Sequence, residues 1–154
     1  MPEWTLGAVL DAIAEAVPDR TMTVSGDRRS TFAETAERTR RLANFLAHNG
    51  FGVHTGRAEL QNWECGQDVV ALIMHNDLYP DMVLACLKAR VVPVNVNYHY
   101  TPREVGELLA YLGPRGVIYH RALGAKFADV LTGSKGTVEL LISIDDGSSS
   151  PELP

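Results

Sequence analysis

A short polar segment carries most of the side chains in this sequence that could orient a small ligand. Amides, an imidazole, phenols and a hydroxyl are concentrated in it: Asn95, Asn97, Tyr98, His99, Tyr100 and Thr101. Side chains of these types fix the orientation of ligands at the rim of a pocket. They also build ordinary loops, because asparagine bonds nearby backbone and tyrosine packs with its hydroxyl in water. Both interpretations stay open, and the five residues from Asn97 to Thr101 are the candidate substrate-binding residues.

The histidines and cysteines are scattered along the chain. None of the five histidines has a second histidine at the HxxxH spacing of a helical metal site. His75 and His120 both follow predicted strands, so a two-histidine site at one sheet edge remains the less favoured interpretation. Cys65 and Cys86 are far apart and indicate neither a disulfide framework nor a zinc site. We therefore predict no metal site and no catalytic residue in this chain.

The segment 132–137, TGSKGT, contains the residue types of a phosphate-binding loop. Its order differs from GxxxxGK[ST], in which the backbone and the lysine surround the phosphates. The segment also follows a predicted helix and precedes a predicted strand, whereas a phosphate loop leaves a strand and enters a helix. A plain helix-to-strand connection is the favoured interpretation.

Composition restricts the classes of partner. The 154 residues are 45% hydrophobic and 21% charged, with a net charge of −5. Such an acidic balance disfavours nucleic acid and anionic membranes, which bind concentrated basic surfaces. No segment approaches the roughly 20 apolar residues that a membrane span requires, and no signal-peptide pattern opens the sequence. We expect no nucleic-acid partner, no membrane span and a cytoplasmic location.

Periodicity and turn residues divide the sequence into alternating elements. They predict helices near 6–17, 31–49, 78–89, 101–112 and 123–131, and strands near 21–24, 68–74, 91–96, 116–119 and 137–144. Thr31 with Glu34, and Thr101 with Glu104, have the spacing of capping boxes at helix starts. Pro102 reinforces the second start, because proline is favoured at the first helical position.

The alternation of strands and helices predicts an α/β fold with a doubly wound, mostly parallel sheet and helices on both faces. Ligands of such sheets bind beyond the carboxyl ends of the strands. Here those ends are 75–77, 97–100 and 120–121. We predict one α/β unit over residues 1–144 and a polar tail or linker over 145–154, since the tail is rich in turn residues and poor in apolar ones.

Five short sequence segments, in order along the chain, are similar to segments of one enzyme family. They are AVPDR (16–20), STFAET (30–35), RLANFL (41–46), ACLKARVVPVN (85–95) and NYHYT (97–101). Together they resemble the N-terminal region of bacterial fatty-acyl-CoA synthetases of the adenylate-forming superfamily. Arg90 stands where that family commonly has glycine, and His99 replaces an arginine. Because of these departures, no catalytic residue is transferred from the family to this chain.

The resemblance implies a ligase that works in two steps. ATP and a fatty or lipid carboxylate give an acyl-adenylate and pyrophosphate, and coenzyme A then takes the acyl group, with Mg²⁺ stabilising phosphate charge. The family uses a phosphate loop and a lysine of a C-terminal domain, and neither has a match in this sequence. The resemblance therefore implies the N-terminal portion of an acyl-CoA synthetase that is inactive alone, in which the 97–101 loop approaches the acyl or coenzyme entry.

Two other hypotheses stay open. The chain could be a stand-alone α/β module that binds an acyl group or a nucleotide without chemistry. It could also be a structural piece that forms a homo-oligomer through apolar surface.

Overall fold

The computed structural model of the protein describes residues 5–133, 138–151 and 153. The helices are α1 (Leu6–Ala16), α2 (Phe32–His48), α3 (Tyr79–Lys88), α4 (Pro102–Leu112) and α5 (Arg121–Gly133), with a 3₁₀ turn at Arg57–Glu59. The strands are β1 (Thr21–Ser25), β2 (Arg28–Thr31), β3 (Val69–Ile73), β4 (Val92–Asn95), β5 (Gly116–His120) and β6 (Leu140–Ile144). Residues 134–137, the second part of the phosphate-loop-like segment, lie outside the described residues.

The chain divides into two compact units. The first comprises the residues through Gln67 together with Asn76–Val92, and the second comprises Asp68–His75 together with the residues from Pro93 onward. Among the described residues, no helix is both long enough and apolar enough to cross a membrane.

In the first unit, α1, α2 and α3 pack together beside the antiparallel β1–β2 hairpin. The predicted capping box starts α2: Thr31 Oγ1 accepts the Glu34 N–H at 3.2 Å, and Glu34 Oε2 accepts the Thr31 N–H at 2.9 Å. α3 begins one residue later than predicted, and its N-cap, Leu78, makes no side-chain capping bond. Asp77, the residue before this N-cap, has its Oδ2 atom 3.8 Å from Nη1 of Arg28.

The buried faces of α1 and α2 include only some of the apolar residues that recur at helical spacing. In α1, Leu6 is 63% exposed, while the buried residues are Gly7, Leu10 and Ala14. In α2, the large apolar side chain of Phe45 is 47% exposed. The buried face of α2 consists of small side chains and one leucine: Thr35, Ala36, Thr39, Ala43 and Leu46. Small side chains on these faces allow the neighbouring helices to pack closely.

The buried Thr39 hydroxyl and the buried Cys86 thiol of the first unit are both poorly reactive. The Thr39 hydroxyl donates to the Ala36 carbonyl at 3.0 Å, so its burial leaves the donor satisfied. Cys86 is fully buried, and burial raises the pKa of its thiol to about 12. A thiol that stays protonated at neutral pH is a poor nucleophile. Cys86 is therefore not a candidate nucleophile.

The second unit is built on a four-stranded sheet in the order β4-β3-β5-β6. β3 pairs with β5 in parallel, from Val70↔Gly116 to Ile73↔Tyr119, and β5 pairs with β6 in parallel. All five residues of β5 are buried, as expected of a covered strand in a parallel sheet. The parallel sheet confirms the predicted α/β fold class.

Helices α4 and α5 pack against each other in the second unit. Thr101 and Glu104 form the predicted capping box of α4, and Gly113 ends that helix in the left-handed conformation with φ 55°. Apolar side chains from both helices and the sheet form the core: Ala71, Ile73, Val96, Val105, Leu109, Val117, Tyr119, Leu123, Phe127 and Leu131.

Candidate functional site

The order of the strands creates a switch point at the carboxyl edge of the sheet. From β3 the chain continues to β4 on one side, and from β5 it continues to β6 on the other side. Ligands of open α/β sheets bind in the crevice that such a reversal opens. His75 lies two residues after the end of β3, and His120 is the last residue of β5. The structure therefore brings the two strand-end histidines together at this point.

The two histidines are joined by a hydrogen bond. The backbone N–H of His75 donates to His120 Nδ1 at 3.1 Å, and the His120 side chain is only 1% exposed. A nitrogen that accepts a hydrogen bond carries no proton, so a neutral His120 ring holds its proton on Nε2. His120 thus fixes the backbone at the carboxyl end of β3.

Aromatic rings extend from this pair along the sheet edge. The His75 ring lies 5.4 Å from the His120 ring and 4.5 Å from the Tyr98 ring, measured between centroids. The Tyr98 ring lies a further 4.3 Å from the ring of His99. These four residues, which we call the ring row, combine side chains from three strand ends. The structure brings together His75 and His120, which the sequence offered only as a weak metal site, with Tyr98 and His99.

The predicted substrate-binding loop is shaped by its own polar groups. Asn97 Oδ1 accepts the His99 N–H at 3.0 Å, and the Asn97 carbonyl accepts the Tyr100 N–H at 3.1 Å. Thr101 caps α4. The side chains of Asn97 and Thr101 therefore accept hydrogen bonds from backbone N–H groups, as in an ordinary loop and helix cap. His99 and Tyr100 are exposed and are the residues of this loop best placed to meet a ligand.

Sequence reasoning missed one residue of this edge. Lys126 of α5 donates from Nζ to the Tyr98 carbonyl at 2.7 Å and so holds the centre of the loop. It lies 28 residues along the chain from its partner, and no local pattern marks it. Only the packing of α5 in the second unit brings the ammonium group to the loop.

Two carboxylates close to these elements have a lowered pKa. The backbone N–H and the hydroxyl of Thr101 lower the pKa of Glu104, and the Lys126 ammonium lowers it further. Burial acts to raise the pKa of Asp146, but hydrogen bonds from Ser148, whose N–H lies at 3.0 Å, and from the Ala122 N–H at 2.9 Å bring it to about 2. Both groups are therefore anionic at neutral pH.

No metal centre accompanies the ring row. In the described parts of the chain, no group of three or more histidine, cysteine, aspartate or glutamate residues is arranged to hold a metal ion. The arrangement offers imidazole and phenol groups and flat ring surfaces, which suit the orientation and packing of a ligand.

Replacing His120 by leucine should lower the free energy of unfolding by about 1–3 kcal/mol, because the partly buried His75 N–H loses its acceptor. His120→Asn retains an acceptor oxygen and should recover part of this loss. Urea denaturation followed by circular dichroism measures both values. Equal losses in the two variants would show that ring packing, rather than the hydrogen bond, makes His120 important.

Comparison with known proteins decides the family. The model of the AMP-binding enzyme family matches residues 10–154. The chain belongs to the AMP-binding enzyme family. It is 38% identical over 151 residues to the medium-chain acyl-CoA ligase Mig of Mycobacterium avium, covering 97% of this chain and 27% of that ligase. This result confirms the family resemblance seen in the sequence.

Other members of the family show similar relationships. The 3-oxocholest-4-en-26-oate–CoA ligase of Rhodococcus rhodochrous is 28% identical over 135 residues, covering 87% of this chain and 22% of that protein. The crystal structure of the N-terminal domain of FACL13 from Mycobacterium tuberculosis superposes with a TM-score of 0.74 at 26% identity, covering 93% of this chain and 34% of that one. The chain thus spans about a quarter of the length of the curated AMP-binding relatives it matches.

Proposed function

We propose that this chain is the N-terminal portion of an ATP-dependent acyl-CoA ligase. The full-length enzyme would convert a fatty or lipid carboxylate, ATP and coenzyme A to acyl-CoA, AMP and pyrophosphate. The observation that carries this proposal is the 38% identity to a medium-chain acyl-CoA ligase across 97% of the chain. A cytoplasmic location remains a prediction from the sequence.

The described residues offer neither a built Mg²⁺ site nor a phosphate loop. They contain no cluster of carboxylates for a cation and no glycine-rich turn from a strand into a helix. The proposal therefore assigns no step of adenylate formation to this chain. Its contribution is to shape one side of the path that the acyl group or coenzyme A takes.

We assign this role to the carboxyl edge of the sheet in the second unit. The loop Asn97–Thr101 lies beside the switch point, where ligands of doubly wound sheets bind. Lys126 and the ring row hold the loop in one conformation before any ligand arrives. A loop that is already ordered loses little conformational freedom on binding. In this proposal His99 and Tyr100 contact the ligand, and Asn97, Tyr98 and Thr101 position them.

A chimeric enzyme tests the assignment directly. The segment of the Mycobacterium avium ligase that matches this chain would be replaced by residues 1–154, and acyl-CoA formation from octanoate would be measured. We expect kcat/KM within about ten-fold of the parent ligase, equivalent to roughly 1.4 kcal/mol of transition-state stabilisation. The same chimera with His120→Leu serves as a control for the sheet edge. A chimera that folds and binds ATP but forms no acyl-CoA would contradict the proposal.

The isolated chain distinguishes the other two hypotheses. It should show only background ATP–pyrophosphate exchange with fatty acids. Saturable calorimetric binding of octanoyl-CoA without exchange would instead favour a stand-alone binding module. Light scattering tests homo-oligomer formation, for which the exposed apolar side chains of α1 provide surface in the first unit.

A further inference from the structure

The first unit contains a polar cleft that the proposed ligase role does not use. It has a volume of about 640 Å³ and lies among the start of α1, the middle of α2 and the end of α3. Basic side chains, amides and a single carboxylate contribute its polar groups: Arg40, Lys88, Arg90, Asn44, Gln67 and Asp11. Three basic groups against one acidic group is unexpected in a chain with a net charge of −5. The cleft is therefore a local site of positive charge.

Two of the basic groups already have partners. Lys88 is 10% exposed, and its Nζ pairs with Asp11 Oδ1 at 2.5 Å. Its aliphatic stem crosses α1 at Gly7, where an added Cβ would lie 2.7 Å from Lys88 Cγ. Arg40 pairs with Glu37. These pairs leave Arg90 as the source of the excess positive charge.

The Arg90 guanidinium has no ion-pair or hydrogen-bond partner among the described residues, although its backbone is firmly held. Its N–H donates to the Leu87 carbonyl at 3.1 Å, and its carbonyl accepts Gln67 Nε2 at 2.6 Å. Its φ is 60°, in the left-handed region. Glycine is the usual residue in that conformation at the end of a helix, because a side chain there is strained. We therefore expect glycine at this position to relieve backbone strain that the arginine imposes.

The cleft also receives the first turn of α1. Thr5 Oγ1 accepts the Ala8 N–H at 3.2 Å, and Gly7 and Ala8 line the cleft. The other N–H groups of a first turn have no acceptor within their helix, and the helix dipole makes this end positive. The positive end of α1 and Arg90 therefore contribute residues to the same cleft.

We propose that this cleft binds a small organic phosphate, with the Arg90 guanidinium as its main ligand. A guanidinium donates two parallel hydrogen bonds to phosphate, and helix N-termini favour the same group. The volume exceeds the need of a single phosphate, and Ala43 and Leu87 provide apolar wall for an organic part. Asn44 adds an amide group to the lining. This site belongs to the first unit and does not depend on the proposed ligase function.

Titration of the whole chain with AMP, observed by ¹H–¹⁵N NMR, tests the site. We expect saturable shifts at Gly7, Ala8 and Arg90. Arg90→Gly should weaken AMP binding at least about ten-fold, as expected for a lost charged hydrogen bond. The same variant should raise the unfolding temperature, because glycine removes the backbone strain. Weaker binding by a more stable protein cannot be attributed to misfolding.

Arg103→Ala is the matched control, because Arg103 is 87% exposed on α4 and pairs only with its helical neighbour Glu107 among the described residues. It should bind AMP as the unaltered chain does. Inorganic phosphate should bind more weakly than AMP. The proposal is overturned if the unaltered chain shows no saturable shifts, if Arg90→Gly binds equally well, if Arg103→Ala loses as much affinity, or if inorganic phosphate binds as tightly as AMP.

Discussion

Replacing Arg38 by methionine is expected to lower the free energy of unfolding by about 3–5 kcal/mol, the range for breaking a buried ion pair from one side. Asp81 is fully buried, and its Oδ1 accepts the Arg38 Nε–H at 2.7 Å. Its Oδ2 is buried without a hydrogen-bond partner in the described part of the chain. Removing the guanidinium leaves this carboxylate without a compensating charge. Urea denaturation at neutral pH measures the loss.

Replacing Asp81 by asparagine should lower the free energy of unfolding by less than Arg38→Met does. The Arg38 side chain is 32% exposed, so in Asp81→Asn its charge can turn toward water. An asparagine at 81 also carries no charge to bury. The double variant Arg38→Met/Asp81→Leu should recover most of the stability, since apolar residues often replace a buried ion pair without loss. A loss of under about 1 kcal/mol in Arg38→Met, or a larger loss in Asp81→Asn, would contradict this account.

Replacing Phe127 by alanine should also lower the free energy of unfolding, by about 3–5 kcal/mol. Phe127 is fully buried in the core of the second unit, among side chains of the sheet and of α4. Its removal combines lost apolar burial with a cavity that the surrounding helices fill only in part. The next residue back along α5 is Lys126, which holds the Tyr98 carbonyl. NMR shifts at residues 97–101 should therefore change as well.

Phe127→Leu is the control for this variant. It keeps most of the apolar volume and should cost about 1 kcal/mol. Its effect on the 97–101 loop should be correspondingly small. Similar losses of stability in the alanine and leucine variants would show that the cavity contributes little and that the core adapts to the smaller side chain.

Local signals predicted the elements well. Both capping boxes form where Thr31 and Thr101 predicted them, since a hydroxyl and a carboxylate three residues apart need no distant partner. The apolar run 69–73 and the segment 116–120 are buried parallel strands, as continuous apolar sequence indicates. The family could also be recognised from the sequence, because the five family-like segments occur in the family's order along the chain.

The helix faces were harder to predict. Leu6, Val9, Leu10 and Ile13 recur at helical spacing, but only Leu10 is buried, while Leu6, Val9 and Ile13 are 63%, 37% and 37% exposed. Gly7 and Ala14 are buried instead, because α3 and its Lys88 stem approach on that side. Spacing identifies a helix, but the face it buries depends on which neighbour can come close.

In the candidate site, too, some features follow from local sequence and others depend on tertiary packing. The sequence by itself determined the elements, the family and the polar loop Asn97–Thr101, because each of these follows from neighbouring residues. Only the tertiary structure decided that His75, Tyr98 and His120 form one ring row, that Lys126 holds the loop and that Arg90 lines a cleft. Those contacts join residues from 23 to 45 positions apart. The physical reason is that strand order and helix packing, which act over the whole unit, bring such groups together, whereas caps and turns act within a few residues.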